Sequence, residues 1–306
     1  MQTTIRSAAS FAGAGLHSGR PVRMTIRPAA AHFGIWFRRT DVVGVDALIA
    51  ARFDQVPDAQ LCTRLRNAHG TEVSTVEHVM AALAGCGIHN ALIEVDAPEV
   101  PILDGSAAPF VRAILARGVV RQEAPVMALK VMQNVRVSRS DAWAELRPGN
   151  GLSMGFTIEF DDAAIGRQHR HTDLANGRFV RELCDSRTFC RAKDIEAMRA
   201  AGLALGGTYD NAVIVDGAEV LSPGGLRHGD EAVRHKMLDA LGDLALAGAP
   251  ILGHYEGFRA GHALTNALLR KLFAQPGAVR VVEAQSDQMA RMPGTHVGVG
   301  DLAHVA

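Results

Sequence analysis

The same order of elements is legible twice along the chain, and this limits the fold more than any single motif does. In the first pass, Val22 to Arg27 alternates apolar and polar residues, the two-residue period of a half-buried strand. Ser74-Thr75-Val76-Glu77 has the S-x-x-E spacing of a capping box. A helix is therefore expected to open there, run through Met80, Leu83 and Ala84, and stop at Gly85 or Gly87. Ala91 to Val95 reads as a strand. After a loop with Pro98, Pro101, Asp104 and Gly105, a second helix is expected from near Ser106 to Gly118. Ala124-Pro125 reads as a junction, and the pattern restarts. Val131 to Val137 and Ser153 to Phe160 read as strands, Gly166 to His171 as a polar loop, and Ala192 to Ala201 as a helical patch. Ala212 to Val215 is a further strand. Helices are expected from near Glu231 to about Ala247 and from near Gly261 to about Phe273, with little assigned beyond Ala274. Strands, helix, loop, helix, read twice, predict a duplicated α+β domain, although the two halves share no sequence period.

Composition narrows the function classes. The 306 residues carry 32 basic and 32 acidic side chains, so no electrostatic footprint for nucleic acid is present. Cys62, Cys86, Cys184 and Cys190 form no CxxC pair, which argues against a zinc ribbon and suits a reducing compartment. The first residues lack the apolar run of a signal peptide, and the most apolar stretch, Leu241 to Leu252, is interrupted by Asp243. A cytoplasmic protein with no integral membrane segment is expected. Neither HExxH nor GxxxxGK[ST] occurs, and Gly13 to Gly19 departs from GxGxxG, so it reads as a tight turn.

The chemistry concentrates on the helix after Glu231. His235 and Asp239 are spaced i,i+4 and share one face, a geometry that lets an imidazole and a carboxylate reach one metal ion. Asp243 extends the stripe by a turn, on a helix otherwise rich in Val, Met, Leu and Ala. Buried charge is costly unless paired or coordinated. The plainer alternative is a solvated acidic face, and HxxxD spacing alone does not decide between them. Glu77-His78 could add a third ligand and a carboxylate able to take a proton from water; the plainer role for Glu77 is the helix cap. His262, at the start of the last helix, could act as a proton donor oriented by Asp243, or could be an ordinary first-turn residue.

Several stretches, taken in order, break this tie. They are Gly15-Leu16-His17-Ser18-Gly19, Leu61-Cys62-Thr63, Ser74 to His78, Pro101 to Ala107, Ser186-Arg187-Thr188-Phe189, Val233 to Asp239 and Gly261-His262-Ala263-Leu264. With this ordered set the chain resembles the UDP-3-O-acyl-N-acetylglucosamine deacetylases, which carry out the first committed step of lipid A synthesis in Gram-negative bacteria. The resemblance implies hydrolysis of an N-acetyl group with zinc as cofactor. It implies His78, His235 and Asp239 as zinc ligands, Glu77 as base, His262 as cationic acid oriented by Asp243, and Thr188 as a hydroxyl polarising the acetyl carbonyl. Substrate contacts are implied for Lys236, Phe160, Phe189, Arg259, Ile195 and Cys62. The implied fold is α+β: two similar two-layer sheet-and-helix domains, here 1–123 and 127–306, with the active site between them. A βαβ insert at about 190–215, including Ile195, Met198, Leu203 and Val213, is implied as an apolar passage for the acyl chain. The expected partner is the UDP-linked acylated sugar, bound by a monomer.

The sequence departs from the family pattern at Cys190-Arg191, where many relatives have glycine and an aromatic, at Arg259 in place of lysine, and at Ala142, often lysine. These positions bear on the passage entrance and the diphosphate contacts, not on the metal ligands. Two rivals remain: a zinc deacetylase for another acylated sugar, and a nucleotide-sugar binding protein without catalysis.

Overall fold

The computed structural model describes residues 1–43, 46–57 and 61–305 of the chain. It is a mixed α+β structure of several sheets and helices. Among the described residues, a five-stranded sheet runs in the order Ala9–Ala14, Pro21–Pro28, Ala91–Val95, Ile35–Arg39, Leu48–Ala50. Its Ile35–Arg39 and Ala91–Val95 strands are parallel, and the other pairings are antiparallel. A seven-stranded sheet is built around Ile251–Phe258, which lies antiparallel to Ala142–Pro148 and parallel to Leu152–Glu159. A small sheet holds Phe189–Arg191 parallel to Val213–Asp216, with a helix between them in sequence.

The helices, in chain order, are α1 (Glu77–Gly85), α2 (Ala108–Arg117), α3 (Arg178–Glu182), α4 (Ala192–Ala200), α5 (Glu231–Ala245), α6 (His262–Ala274) and α7 (Ser286–Met289). α1 is buried all round except at Ala84. It packs against α5 so closely that a Cβ added at Gly242 would lie 2.0 Å from the Glu77 carbonyl oxygen. Only glycine permits that approach. α2 ends at Gly118, whose φ of 83° carries the chain out of the helix. One continuous apolar core joins side chains of the first half, such as Phe37, Met80 and Phe110, to Phe156, Leu241 and Leu268 of the second.

Three sequence expectations are corrected. The Ser74–Glu77 capping box does not form: Ser74 ends a strand paired with Arg64, its hydroxyl donates to the Pro98 carbonyl, and α1 starts without a side-chain cap. Thr75, at φ 58°, turns the chain between strand and helix. The polar stretch expected as a loop at Gly166 to His171 is mostly strand, Arg167–Asp173, paired with Leu152–Glu159. Its inward side chains are polar and paired: Arg170 forms ion pairs with Glu182 and Asp230, and Gln168 accepts from the Val233 amide. Apolar periodicity cannot reveal such a strand. The single strand expected at Val131 to Val137 is two, Met127–Val131 and Val135–Arg139, in different parts of the sheet. Beyond Ala274, where little was assigned, the chain adds the strand Val279–Glu283, α7 and a short 3-10 turn, Val299–His304.

Candidate metal centre

The first turn of α1 packs against α5 at Gly242, and Glu77 and His78 of the one helix collect with His235, Asp239 and Asp243 of the other. His78 and Asp239 are 3.5 Å apart (Nε2 to Oδ1), and His235 and Asp239 3.3 Å. One ligand atom from each of the three lies within 4.8 Å of the others. The two imidazoles stand edge to face with ring centroids 5.0 Å apart. All three side chains are buried.

This arrangement fits a cation better than it fits itself. Asp239 Oδ1 is buried without a hydrogen-bond partner, facing two imidazole nitrogens. An orphaned buried carboxylate oxygen is costly, and a divalent ion would satisfy it. His235 is prepared for such a role. Its Nδ1 donates to the Ser186 carbonyl at 2.9 Å, so in the neutral ring Nε2 is left with its lone pair. Burial pushes the His235 pKa down to about 4, so the ring is neutral at physiological pH. Burial acts to raise the Asp239 carboxyl. The basic groups around it, His235 and then Lys236, outweigh that and hold it well below the usual carboxylate range. Lys236 Nζ donates to Asp239 Oδ2 at 2.7 Å, leaving Oδ1 as the free oxygen.

The loop that presents the Ser186 carbonyl is itself fixed to the start of α5. Glu231, 1% exposed, accepts from the Arg187 amide and guanidinium and from the Arg227 amide. A buried carboxylate satisfied this fully positions its partners.

Glu77 and His262 border the His78, His235 and Asp239 side chains. Glu77 Oε2 accepts from the Thr63 amide at 3.0 Å, and its Oε1 lies 4.0 Å from His262 Nε2. Burial raises the Glu77 pKa, with His262 and His78 acting against it. His262 Nδ1 donates to Asp243 Oδ2 at 2.9 Å, and the Thr63 hydroxyl donates to Asp243 Oδ1 at 2.5 Å. Burial alone would lower the His262 pKa; the adjoining Asp243 carboxylate reverses this and lifts it to about 9. His262 is thus an imidazolium at neutral pH, held at the start of α6 where the helix dipole would otherwise disfavour a cation.

The other residues singled out from the sequence fall at graded distance from this centre. Phe189 places its ring 6.3 Å from that of His235, and Phe160 stacks edge-on to Phe189 at 5.4 Å. Thr188, between them in the chain, has its backbone bonded to Gly105 and Val213. Cys62 sits beside Thr75 and Glu77; burial first, then the Glu77 charge, pushes its thiol up to about 12, so it is no thiolate. Ile195 is half-buried on α4, outside the polar cluster. Arg259 is exposed, with φ 50°, and its guanidinium pairs with Asp141.

Sequence reasoning assigned no role to Thr63, Ser186, Glu99 or His17. Thr63 and Ser186 lie in two of the stretches that carried the resemblance, but nothing in spacing shows that one binds both Glu77 and Asp243 and the other bonds His235. Glu99 accepts from the His17 and Ser18 amides and from Thr75, tying the Gly15–Gly19 turn to the start of α1. His17 Nε2 is buried without a partner. Burial lowers its pKa, and the charges of Glu99 and His262 act on it in opposite senses.

Comparison with known proteins gives the family. A family model described as UDP-3-O-acyl N-acetylglycosamine deacetylase matches residues 2–274. The chain belongs to this deacetylase family. Similar relatives named UDP-3-O-acyl-N-acetylglucosamine deacetylase include that of Shewanella frigidimarina, 45% identical over 306 residues and 99% of both chains. That of Phenylobacterium zucineum is 49% identical over 280 residues, 92% of this chain and 96% of its own. That of Idiomarina loihiensis is 47% identical over 289 residues, 94% of each. For a deacetylase of this family, a buried His-His-Asp group beside a carboxylate and an imidazolium is an arrangement able to hold a metal and move protons.

Proposed function

We propose that the chain hydrolyses the N-acetyl group of a UDP-3-O-acyl-N-acetylglucosamine, giving the UDP-3-O-acyl-glucosamine and acetate for lipid A biosynthesis, with zinc held by His78, His235 and Asp239. The observation that carries this reading is the orphaned Asp239 Oδ1 set between two imidazole nitrogens, with Glu77 and the His262–Asp243 pair alongside. Bound zinc would supply a Lewis acid that acidifies a water molecule and polarises the acetyl carbonyl. Glu77, its pKa raised by burial, takes the proton from the attacking water as the oxygen adds to the carbonyl carbon. His262, charged at neutral pH, stabilises the developing oxyanion and delivers its proton to the nitrogen as the C–N bond breaks. Asp243, itself fixed by Thr63, keeps the His262 ring in that orientation.

In this reading Thr188 adds a hydroxyl to the carbonyl oxygen. Lys236 meets polar groups of the substrate, Phe160 and Phe189 line the uridine side, and Cys62, Ile195 and Arg259 make further contacts. Residues 1–123 and 127–306 act as two domains, with 190–215 as the acyl passage, in a cytoplasmic monomer. No helix among the described residues is long and apolar enough to cross a membrane.

The deciding experiment pairs metal content with deacetylation before and after chelation. The expected result is one zinc per chain, loss of turnover on its removal, and recovery on its return. Purified protein that turns over substrate with no stoichiometric metal would overturn the reading. Turnover on UDP-linked acylated sugar far above that on free N-acetylated sugars separates it from the rival in which another acylated sugar is the substrate.

A further inference from the structure

A cavity of about 710 Å³ lies away from the metal centre, and none of His78, His235 or Asp239 lines it. Its size is that of small-molecule sites, roughly 300–1,000 Å³. Met80 and Leu83 of α1 and Leu241 and Leu244 of α5 lie buried behind its base, and the accessible apolar lining includes Ala84, Met127, Ala249 and Met289. The far wall is the segment from α7 to His296, which contributes Met289 and Met292. That wall lies beyond residue 274, where the family match ends. It is held in place by a backbone-to-backbone contact: a Cβ at Gly294 would lie 2.2 Å from Gly87.

Of the described charged side chains only Arg121 lines the cavity, and no aspartate or glutamate does. The imidazoles of His32, His89 and His296 stand beside it, His89 held neutral by burial, which pushes its pKa down to about 4. Arg121 is exposed and forms no ion pair or side-chain hydrogen bond with any described residue. It is paired through its backbone with Thr3, next to Gln2. The Gln2 amide nitrogen donates to His32 Nδ1 at 3.1 Å, while Gln2 Oε1 accepts from the His32 backbone amide. His32 Nδ1 is therefore the acceptor, and in the neutral ring the proton sits on Nε2, a free donor. A guanidinium and an imidazole N–H thus stand on the ribbon around Thr3 and Arg121. Alanine and flexible methionine side chains, Met127 and Met289 among them, give the accessible apolar surface.

We infer that this cavity is a second binding site, separate from the metal centre, for a single-chain amphiphile with an anionic head. The head pairs with Arg121 and His32, and the alkyl chain lies against Ala84, Met127, Ala249 and Met289. Carboxylate and phosphate heads share this chemistry. This inference does not rest on the proposed reaction.

The test titrates the full, metal-loaded chain with decanoate, decyl phosphate and decyltrimethylammonium, each below its micelle concentration, by calorimetry. Saturable 1:1 binding of at least one anion is expected, with the cation bound at least tenfold more weakly. The better-bound anion identifies the head group. Arg121→Glu, at an exposed position, should weaken the anion at least tenfold. Ala290→Trp, also exposed and on the cavity wall, should weaken all three by filling the space. Circular dichroism confirms that both variants are folded. Equal binding of anion and cation, unchanged anion affinity in both variants, or no saturable binding to the wild-type chain overturns the inference. So does strict competition between decanoate and the substrate, which would place the amphiphile in the catalytic site.

Discussion

At Glu77, two roles that a sequence cannot separate have different consequences for metal. Glu77 touches Thr63 and faces His262, and it is not among the three side chains, His78, His235 and Asp239, that could hold a metal. Glu77→Ala is expected to keep its metal and lose roughly 10²- to 10⁴-fold in turnover, the usual worth of a general base. His235→Ala should lose both, and metal analysis beside steady-state assays separates the two. The pH profile belongs to the same scale. A rising limb reports Glu77 losing its proton, and the falling limb reports His262 losing its own as pH passes about 9. Removing the Asp243 charge takes away what lifts the imidazolium, so Asp243→Asn should move the falling limb to lower pH and reduce the maximum. A falling limb unmoved in that variant would refute the assignment of His262 as the acid. These proposed roles came from the sequence only through the ordered stretches, because spacing alone left HxxxD undecided and gave Glu77 the plainer role of a helix cap. The capping box shows the hazard: Ser74 and Glu77 have the right spacing, yet Ser74 belongs to a strand and its hydroxyl serves Pro98.

For helices and strands, legibility followed apolar periodicity. α5 and α6 were expected almost to their ends, because apolar residues recur at helical spacing, Val233, Met237, Leu241 and Leu244 in the one and Leu264, Leu268 and Leu272 in the other. The strand Arg167–Asp173 was hidden because its inward residues are Gln168, Arg170 and Thr172, made acceptable by ion pairs and hydrogen bonds that only the fold brings together. The contact between α1 and α5 also has no sequence signal beyond one glycine within a helix. Replacing a mid-helix glycine by alanine ordinarily stabilises by about 1 kcal/mol. At Gly242 the new methyl would meet the Glu77 carbonyl oxygen at 2.0 Å, and neither helix backbone can yield cheaply. Overpacking costs of about 1–3 kcal/mol should prevail. Gly242→Ala is expected to lower the thermal midpoint and, by displacing Glu77, to depress turnover more than substrate affinity. An alanine variant as stable and active as the parent would mean the helices are not held this closely.

At the scale of the whole chain, the three side chains that could hold a metal are divided: His78 comes from the first half, His235 and Asp239 from the second. A metal bound there belongs to the folded arrangement and not to either stretch alone. Free metal at 100 times its dissociation constant stabilises a folded state by about 2.7 kcal/mol. Thermal unfolding should therefore climb in midpoint as free zinc is raised, and His78→Ala should abolish that dependence while leaving the apo midpoint near its parent value. The shared apolar core, with Met80 and Leu241 in one cluster, should keep the apo chain folded. The ion then acts as a clasp between distant parts of the polypeptide. Scarcity of the metal would be felt twice, as idle enzyme and as a looser molecule, and a melting curve becomes a gauge of how fully a preparation is charged.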